Sequence, residues 1–195
     1  ILQIFPDTQD ISPVLRKQFE EEATLLSTLS HPNITRLVDF GIERGALFLA
    51  TQYSTSVSLE GQTGNPIPWQ EVTGFILPIA RALAAAHEKD ILHCSLKPAN
   101  IHIFDNGTPI LTGFKLPVFA NLEPDPGYNP YTAPEQAAGE TCDNRSDIYS
   151  LAVIFYEMLC GKHPYDAATA PALVYKQMTQ ALPDLRENLP NLPVK

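Results

Sequence analysis

The chain opens on an apolar run with strand character, Ile1-Leu2-Gln3-Ile4-Phe5, which stops at the turn pair Pro6-Asp7. Ser12-Pro13 then offers an N-cap followed by proline at the first helical position. Val14, Leu15, Phe19, Ala23, Leu26 and Leu29 recur at helical spacing until His31-Pro32-Asn33 breaks the pattern. Two strands over 35–40 and 46–53 are expected to form a hairpin through Gly41 and Gly45. Residues 54–68 form a polar connector rich in Gly, Ser and Pro. From Trp69 to Lys89 the apolar positions Val72, Phe75, Ile76, Ile79, Ala80, Leu83 and Ala86 predict a long helix, which Pro78 should bend or deprive of a hydrogen bond. Short strands over 101–104 and 110–112 flank the hairpin pair Asn106-Gly107. Residues 147–160 read as a helix apolar on most faces, and a last helix is predicted over 170–180.

Strand, helix, hairpin and then mostly helices imply an α+β protein with a small sheet and a helical body. The connector divides a sheet-bearing part, 1–53, from a helical part, 54–195. Because the chain starts in what reads as the middle of a strand, with no basic start and apolar stretch behind it, it is expected to begin inside its fold.

Composition narrows the partners more than the fold. The formal net charge of −9 lacks the basic stripe that nucleic acid requires and gives no attraction to an anionic membrane surface. The longest apolar run, 150–160, is too short to cross a bilayer. Cys94, Cys142 and Cys160 show no pairing pattern or metal-ligand spacing, which predicts unpaired, buried cysteines in a reducing, cytoplasmic setting.

The chemistry lies in the middle of the chain. Residues 91–113 read ILHCSLKPANIHIFDNGTPILTG. This resembles the catalytic-loop region of protein kinases, H-R-D-L-K-P-x-N followed by a hairpin and D-F-G. His93, Leu96, Lys97, Pro98 and Asn100 fall on their family positions, and the spacing from Asn100 to Gly113 matches as well. Ala133-Pro134-Glu135 resembles the A-P-E that closes the activation segment, and 146–151 resembles the helix whose Asp caps the catalytic loop. The helix containing Glu22, the His31-Pro32-Asn33-Ile34 loop and the strand ending at Thr51, the gatekeeper position, and Tyr53 complete the likeness. The resemblance covers almost the whole chain, points to the bacterial serine/threonine-kinase-like branch, and implies a protein-kinase-like fold with a partial β-rich N-lobe and a helical C-lobe, truncated at both ends.

Within that resemblance the charged groups are missing. The catalytic Asp becomes Ser95, a neutral hydroxyl and a poor proton acceptor. The Asp of D-F-G becomes Gly113, in Gly113-Phe114-Lys115, so magnesium loses a carboxylate ligand and Asn100 alone offers a neutral oxygen. The strand Lys that contacts phosphates aligns with Gln3, leaving Glu22 without its partner. Ile1 stands over the adenine where the family has Ala, and His102 lies beneath it. The Arg of H-R-D is Cys94, so no guanidinium awaits a phosphorylated activation loop.

The expectation is a pseudokinase: no catalytic residue, no metal, and a degenerate nucleotide pocket made of Gln3, Glu22, Thr51, Tyr53, Lys97, Asn100, His102 and Gly113. Weak, metal-independent ATP binding is the most such a pocket should retain. The expected partner is a protein or another domain of the same polypeptide, engaged through 116–130 or the helix near 170–180. The alternative is a weakly active or atypical serine/threonine kinase or other nucleotide transferase, for which Asp105 and Asp125 are the nearest substitute carboxylates. Less specific roles are expected for the remaining polar residues. His93 should be a buried packing residue, Asp147 a cap for the loop around it, His87 and His163 surface residues, and Glu20 to Glu22 a solvated helix face.

Overall fold

The computed structural model describes residues 1–5, 12–52, 56–62, 64–119, 129–165 and 167–189. Strand β1 (Leu2–Phe5) leads to helix α1 (Pro13–Ser27), whose N-cap Ser12 accepts from Leu15 N–H and whose first residue is the expected proline. The hairpin of β2 (Leu37–Glu43) and β3 (Ala46–Thr51) follows. Its turn is Arg44-Gly45, both at positive φ (50° and 83°). Gly41 is not in the turn as expected; it lies inside β2 opposite Phe48. The sheet runs in the order β1-β3-β2, all antiparallel. One face buries Leu47 and Leu49 with Phe5, Phe19, Ala23, Leu37 and Leu116, so α1 seals the sheet.

The connector holds a strand that periodicity did not announce, β4 (Ser56–Ser58). Three residues, two of them polar, carry no readable alternation; β4 exists because β5 (Ile101–Phe104) lends its edge. Beyond β4, helix α2 (Trp69–His87) passes through Pro78 without ending there. Strand β6 (Pro109–Leu111) completes a second antiparallel sheet, β4-β5-β6. Helix α3 (Pro134–Ala137) begins within Ala133-Pro134-Glu135. Helix α4 (Asn144–Cys160) is capped by Asp143 and ended by Gly161 at φ 68°. Helices α5 (Ala170–Thr179) and α6 (Leu185–Asn188) close the described chain.

The main core joins α2 and α4 through Val72, Ile79, Leu83, Ile154 and Met158, with Leu96, Ile101 and Leu111 on top. The loop after α1 reaches the second sheet: Thr35 N–H donates to Leu111 O (2.9 Å) and Leu111 N–H to Asn33 O (2.8 Å). The two sheet systems are therefore stitched at β6, beside the segment 93–113. Among the described residues, no helix is long and apolar enough to cross a membrane.

Candidate functional site

The loop 91–100 is held from below by one carboxylate. Asp147, 1% exposed on α4, accepts from His93 N–H through Oδ2 (2.9 Å) and from Cys94 N–H through Oδ1 (2.8 Å). Oδ2 also meets His87 Nε2 at 2.8 Å. A buried carboxylate costs several kcal/mol unless fully bonded, and here three donors converge on it. The capping role expected of Asp147 is what this geometry provides. His87, expected at the surface, instead belongs to this network with a side chain only 14% exposed. His163 likewise faces Pro130 O and Tyr165 O.

His93 is fully buried. Nε2 lies 2.8 Å from Thr112 O, which can only accept, and Nδ1 accepts from Ser95 N–H (3.3 Å). The two partners therefore fix the neutral Nε2–H tautomer. Burial pushes its pKa below the usual histidine value, against the pull of Asp147. Phe114 packs on the ring at a centroid distance of 4.6 Å.

Above this platform, Ser95, Asn100 and Gly113 close on one another. Asn100 Nδ2 donates to Ser95 O (2.8 Å) and to Ser95 Oγ (3.3 Å), and Ser95 Oγ donates to Gly113 O at 3.5 Å. Gly113 has φ 77°, and a Cβ there would lie 2.8 Å from both Cγ and Oδ1 of Asn100. The Asn100 side chain thus occupies the space into which a residue at 113 would project. Lys97 is half-buried at the entrance to the 98–100 turn, whose Asn100 N–H donates to Lys97 O (2.9 Å).

The residues expected to line a nucleotide pocket divide into two groups. Ile1, Gln52, Ser56, His102 and Thr112 line a cavity of about 400 Å³ that continues along the His31–Arg36 loop. His102 Nδ1 faces Ser56 Oγ at 3.1 Å, a contact possible only because β4 exists. Thr51 pairs with the chain start, its N–H donating to Ile1 O (2.8 Å) and its carbonyl accepting from the Ile1 amino group (2.7 Å). Tyr53 lies outside the described residues.

Gln3 and Glu22 form the other group. Gln3 stands opposite Leu49 on the α1-facing side of β1 and is exposed. Glu22 does not wait for an ammonium; its Oε2 accepts from Val118 N–H at 2.9 Å. Burial raises its pKa and that N–H pulls it back. Among the described residues no hydrogen bond joins Gln3 to Glu22. The expectation of a solvated acidic face holds for Glu20 and Glu21 and not for Glu22.

The cysteines correct a further expectation. Cys94 and Cys142 form a disulfide, with Cα atoms 6.0 Å apart and a sequence separation of 48. Only Cys160 is free. The inference of a reducing compartment from unpaired cysteines loses its basis. Nothing in the spacing announced the pair, since the chain must fold before the catalytic loop meets the turn after α3. The disulfide lies on the wall of a second cavity, of about 540 Å³, enclosed by α1, the loop 90–94, the segment 114–117 and the turn after α3.

A small sheet-bearing lobe over a helical lobe, with an H-x-x-L-K-P-x-N loop capped by a buried Asp from the central helix, defines the protein-kinase class of fold. The chain belongs to the protein kinase domain family, which it matches over residues 6–192. It is 30% identical over 185 residues to the serine/threonine-protein kinase PrkC of Bacillus subtilis, covering 91% of this chain and 28% of PrkC. It is 31% identical over 195 residues to PknF of Mycobacterium tuberculosis, covering 91% of this chain and 40% of that protein. Among solved structures, the Mycobacterium tuberculosis PknI kinase domain matches with a TM-score of 0.70 and 25% identity over 98% of this chain and 71% of that one. The chain spans well under half the length of these two curated relatives.

Proposed function

We propose that this domain is a pseudokinase, a protein-binding or regulatory module that does not transfer phosphate. The observation that carries the proposal is the closed triangle of Ser95, Asn100 and Gly113. Phosphoryl transfer is positioning plus charge neutralisation, and the position that would supply the metal-binding carboxylate is a glycine whose side-chain space Asn100 fills. Asn100, the remaining family ligand, spends its Nδ2 on Ser95 O and offers a metal only its neutral Oδ1. Magnesium usually takes one or two carboxylates, so this donor set fits it poorly. Gln3 brings no cation, and Glu22 is bonded to Val118 N–H in its stead. If losing one transition-state contact costs about 10²–10³ in rate, three concerted losses leave no useful turnover even with strong non-additivity.

The work left to such a domain is recognition of a protein or of another part of the same polypeptide. Helix α5 supports this, since Tyr175 (67%) and Met178 (56%) stand exposed on it. The other segment proposed for contact, 116–130, lies mostly outside the described residues.

A second reading, a weakly active or atypical serine/threonine kinase, is favoured by the names of the relatives, PrkC and PknF being called serine/threonine-protein kinases. A single experiment separates the two. Thermal unfolding is followed with ATP, with magnesium and with both, alongside mass spectrometry for phosphate on the protein and on a generic acceptor. A pseudokinase shows little stabilisation, none of it dependent on magnesium, and no phosphate. Stabilisation requiring ATP and magnesium together, or phosphate lost on Asp105→Asn, refutes the proposal, because a ligand bound to the folded state must raise its stability by mass action.

A further inference from the structure

The Cys94–Cys142 bridge joins two segments that are otherwise anchored very unequally. On one side, Cys94 sits in the catalytic loop at φ 55°, a left-handed conformation rare for a residue with a side chain. It is held there three times over. Its N–H donates to buried Asp147 (2.8 Å), its carbonyl accepts from Gln136 Nε2 (2.9 Å), and its neighbour His93 is locked between Asp147 and Thr112. On the other side, the turn 138–142 is bonded only to its own surroundings. Ala138, Gly139 and Glu140 N–H groups return to Pro134, Gln136 and Glu135 carbonyls. Among the described residues, no hydrogen bond of 138–142 reaches beyond α3 and the adjoining Asp143, and residues 138–141 are all exposed. The disulfide is thus the one covalent or polar tie between that turn and the catalytic loop. Both sulfur-bearing residues are partly exposed and line the 540 Å³ cavity, so solution reagents reach them.

We propose that Cys94–Cys142 is a reversible redox latch, closed by oxidation and opened by a dithiol, whose opening frees the turn 138–142 and leaves the catalytic loop in place. In the opening step a thiolate of the dithiol attacks Sγ of Cys142, the S–S bond breaks, and Cys94 leaves as a thiolate that takes a proton. The second thiol of the reductant then attacks the mixed disulfide, forming the reductant's own disulfide and releasing Cys142 as a thiol. Two electrons and two protons pass to the protein. An oxidant of the disulfide class reverses both steps. The turn forms one wall of the cavity, with Glu140 and Thr141 on it, so its release widens the cavity between α1 and the segment 114–117. The latch stands on the bond between Cys94, beside Ser95 in the loop, and the turn 138–142, and holds whether or not the domain transfers phosphate.

The test uses the full-length protein. Free thiols are blocked at low pH and the protein is digested without reduction. A peptide cross-linked between Cys94 and Cys142, with Cys160 blocked, is expected. Titration with mixtures of reduced and oxidised dithiothreitol, without denaturant, should convert that peptide to two blocked cysteines at a defined ratio. Hydrogen exchange before and after reduction should quicken by roughly tenfold or more across 138–142 while 91–97 changes less than about twofold, as expected when one segment opens locally and its neighbour does not. Cys142→Ser should show the reduced pattern in oxidant; if that variant does not fold, the reduction of the unaltered protein decides alone. Absence of the cross-link, a cross-link that native dithiothreitol cannot open, or exchange that rises equally in both segments or in neither overturns the latch.

Discussion

At the scale of single residues, Gly113 is where chemistry and conformation meet. Its φ of 77° and its contact with Asn100 make it a glycine by two independent criteria. Gly113→Asp, the substitution that restores the family's carboxylate, should destabilise the fold by about 1–2 kcal/mol from the left-handed backbone and the displaced Asn100 side chain. It should also restore no phosphotransfer, because Ser95 and Gln3 remain. Urea unfolding and a phosphorylation assay on the same variant check both halves. His93 gives a residue-scale prediction in pH. Burial depresses its folded pKa below the unfolded value near 6.5. As pH falls below about 6.5 the unfolded chain takes a proton that the folded chain refuses, so stability declines on acidification, by at most about 1.4 kcal/mol per pH unit from this group. It is fully present above that pH. Unfolding free energies between pH 8 and 5.5, compared with His93→Phe, should show a slope in the native protein that the variant lacks. The charges missing at 3, 95 and 113 were legible from the sequence because motif spacing assigns positions without a structure. The side chain of Asn100 turning into the gap at 113, and Glu22 reaching Val118, were not. Both depend on where separate segments settle once a charge is gone.

At the scale of elements, legibility followed the length of the periodic pattern. Helices α1, α2 and α4, and the hairpin around Asn106-Gly107, lie where apolar spacing and turn residues put them. Strand β4 and helices α3 and α6 are three or four residues long, too short for a period, and are made by their neighbours. Helix α4 is the element the site depends on. It buries Leu151, Ile154 and Met158 in the core shared with α2 while offering Asp147 upward to the loop. Asp147→Ala would leave two buried N–H groups and His87 without their acceptor, a loss of about 3–5 kcal/mol. Urea unfolding should show it, and exchange at 93–94 should rise first. At the other end, Gly161 carries φ 68°, and an added Cβ would lie 2.8 Å from Pro66 N, which is backbone and cannot swing aside. Gly161→Ala should therefore cost more than the roughly 1 kcal/mol of an ordinary left-handed penalty, whereas Gly107→Ala, with nothing within 4 Å, should cost about that penalty alone.

At the scale of the whole molecule, the feature that local sequence could not disclose is also the one that shapes the unfolded chain most. A bridge across 48 residues ties the catalytic loop to the turn after α3. In the chain-entropy account, closing a loop of that length stabilises the fold by about 4 kcal/mol, mainly by restricting the unfolded ensemble. That is a large share of the roughly 5–15 kcal/mol by which domains are stable, so the redox state should set the margin on which the domain operates. Unfolding in urea with and without a dithiol should separate the two forms by about that amount. Because the effect is exerted on the unfolded chain, the native spectra of the oxidised and reduced forms should stay close while their midpoints move apart. If the midpoints coincide although the bridge is shown to open, the segments it joins are already kept together in the unfolded chain, and the bond then acts on the mobility of 138–142 alone.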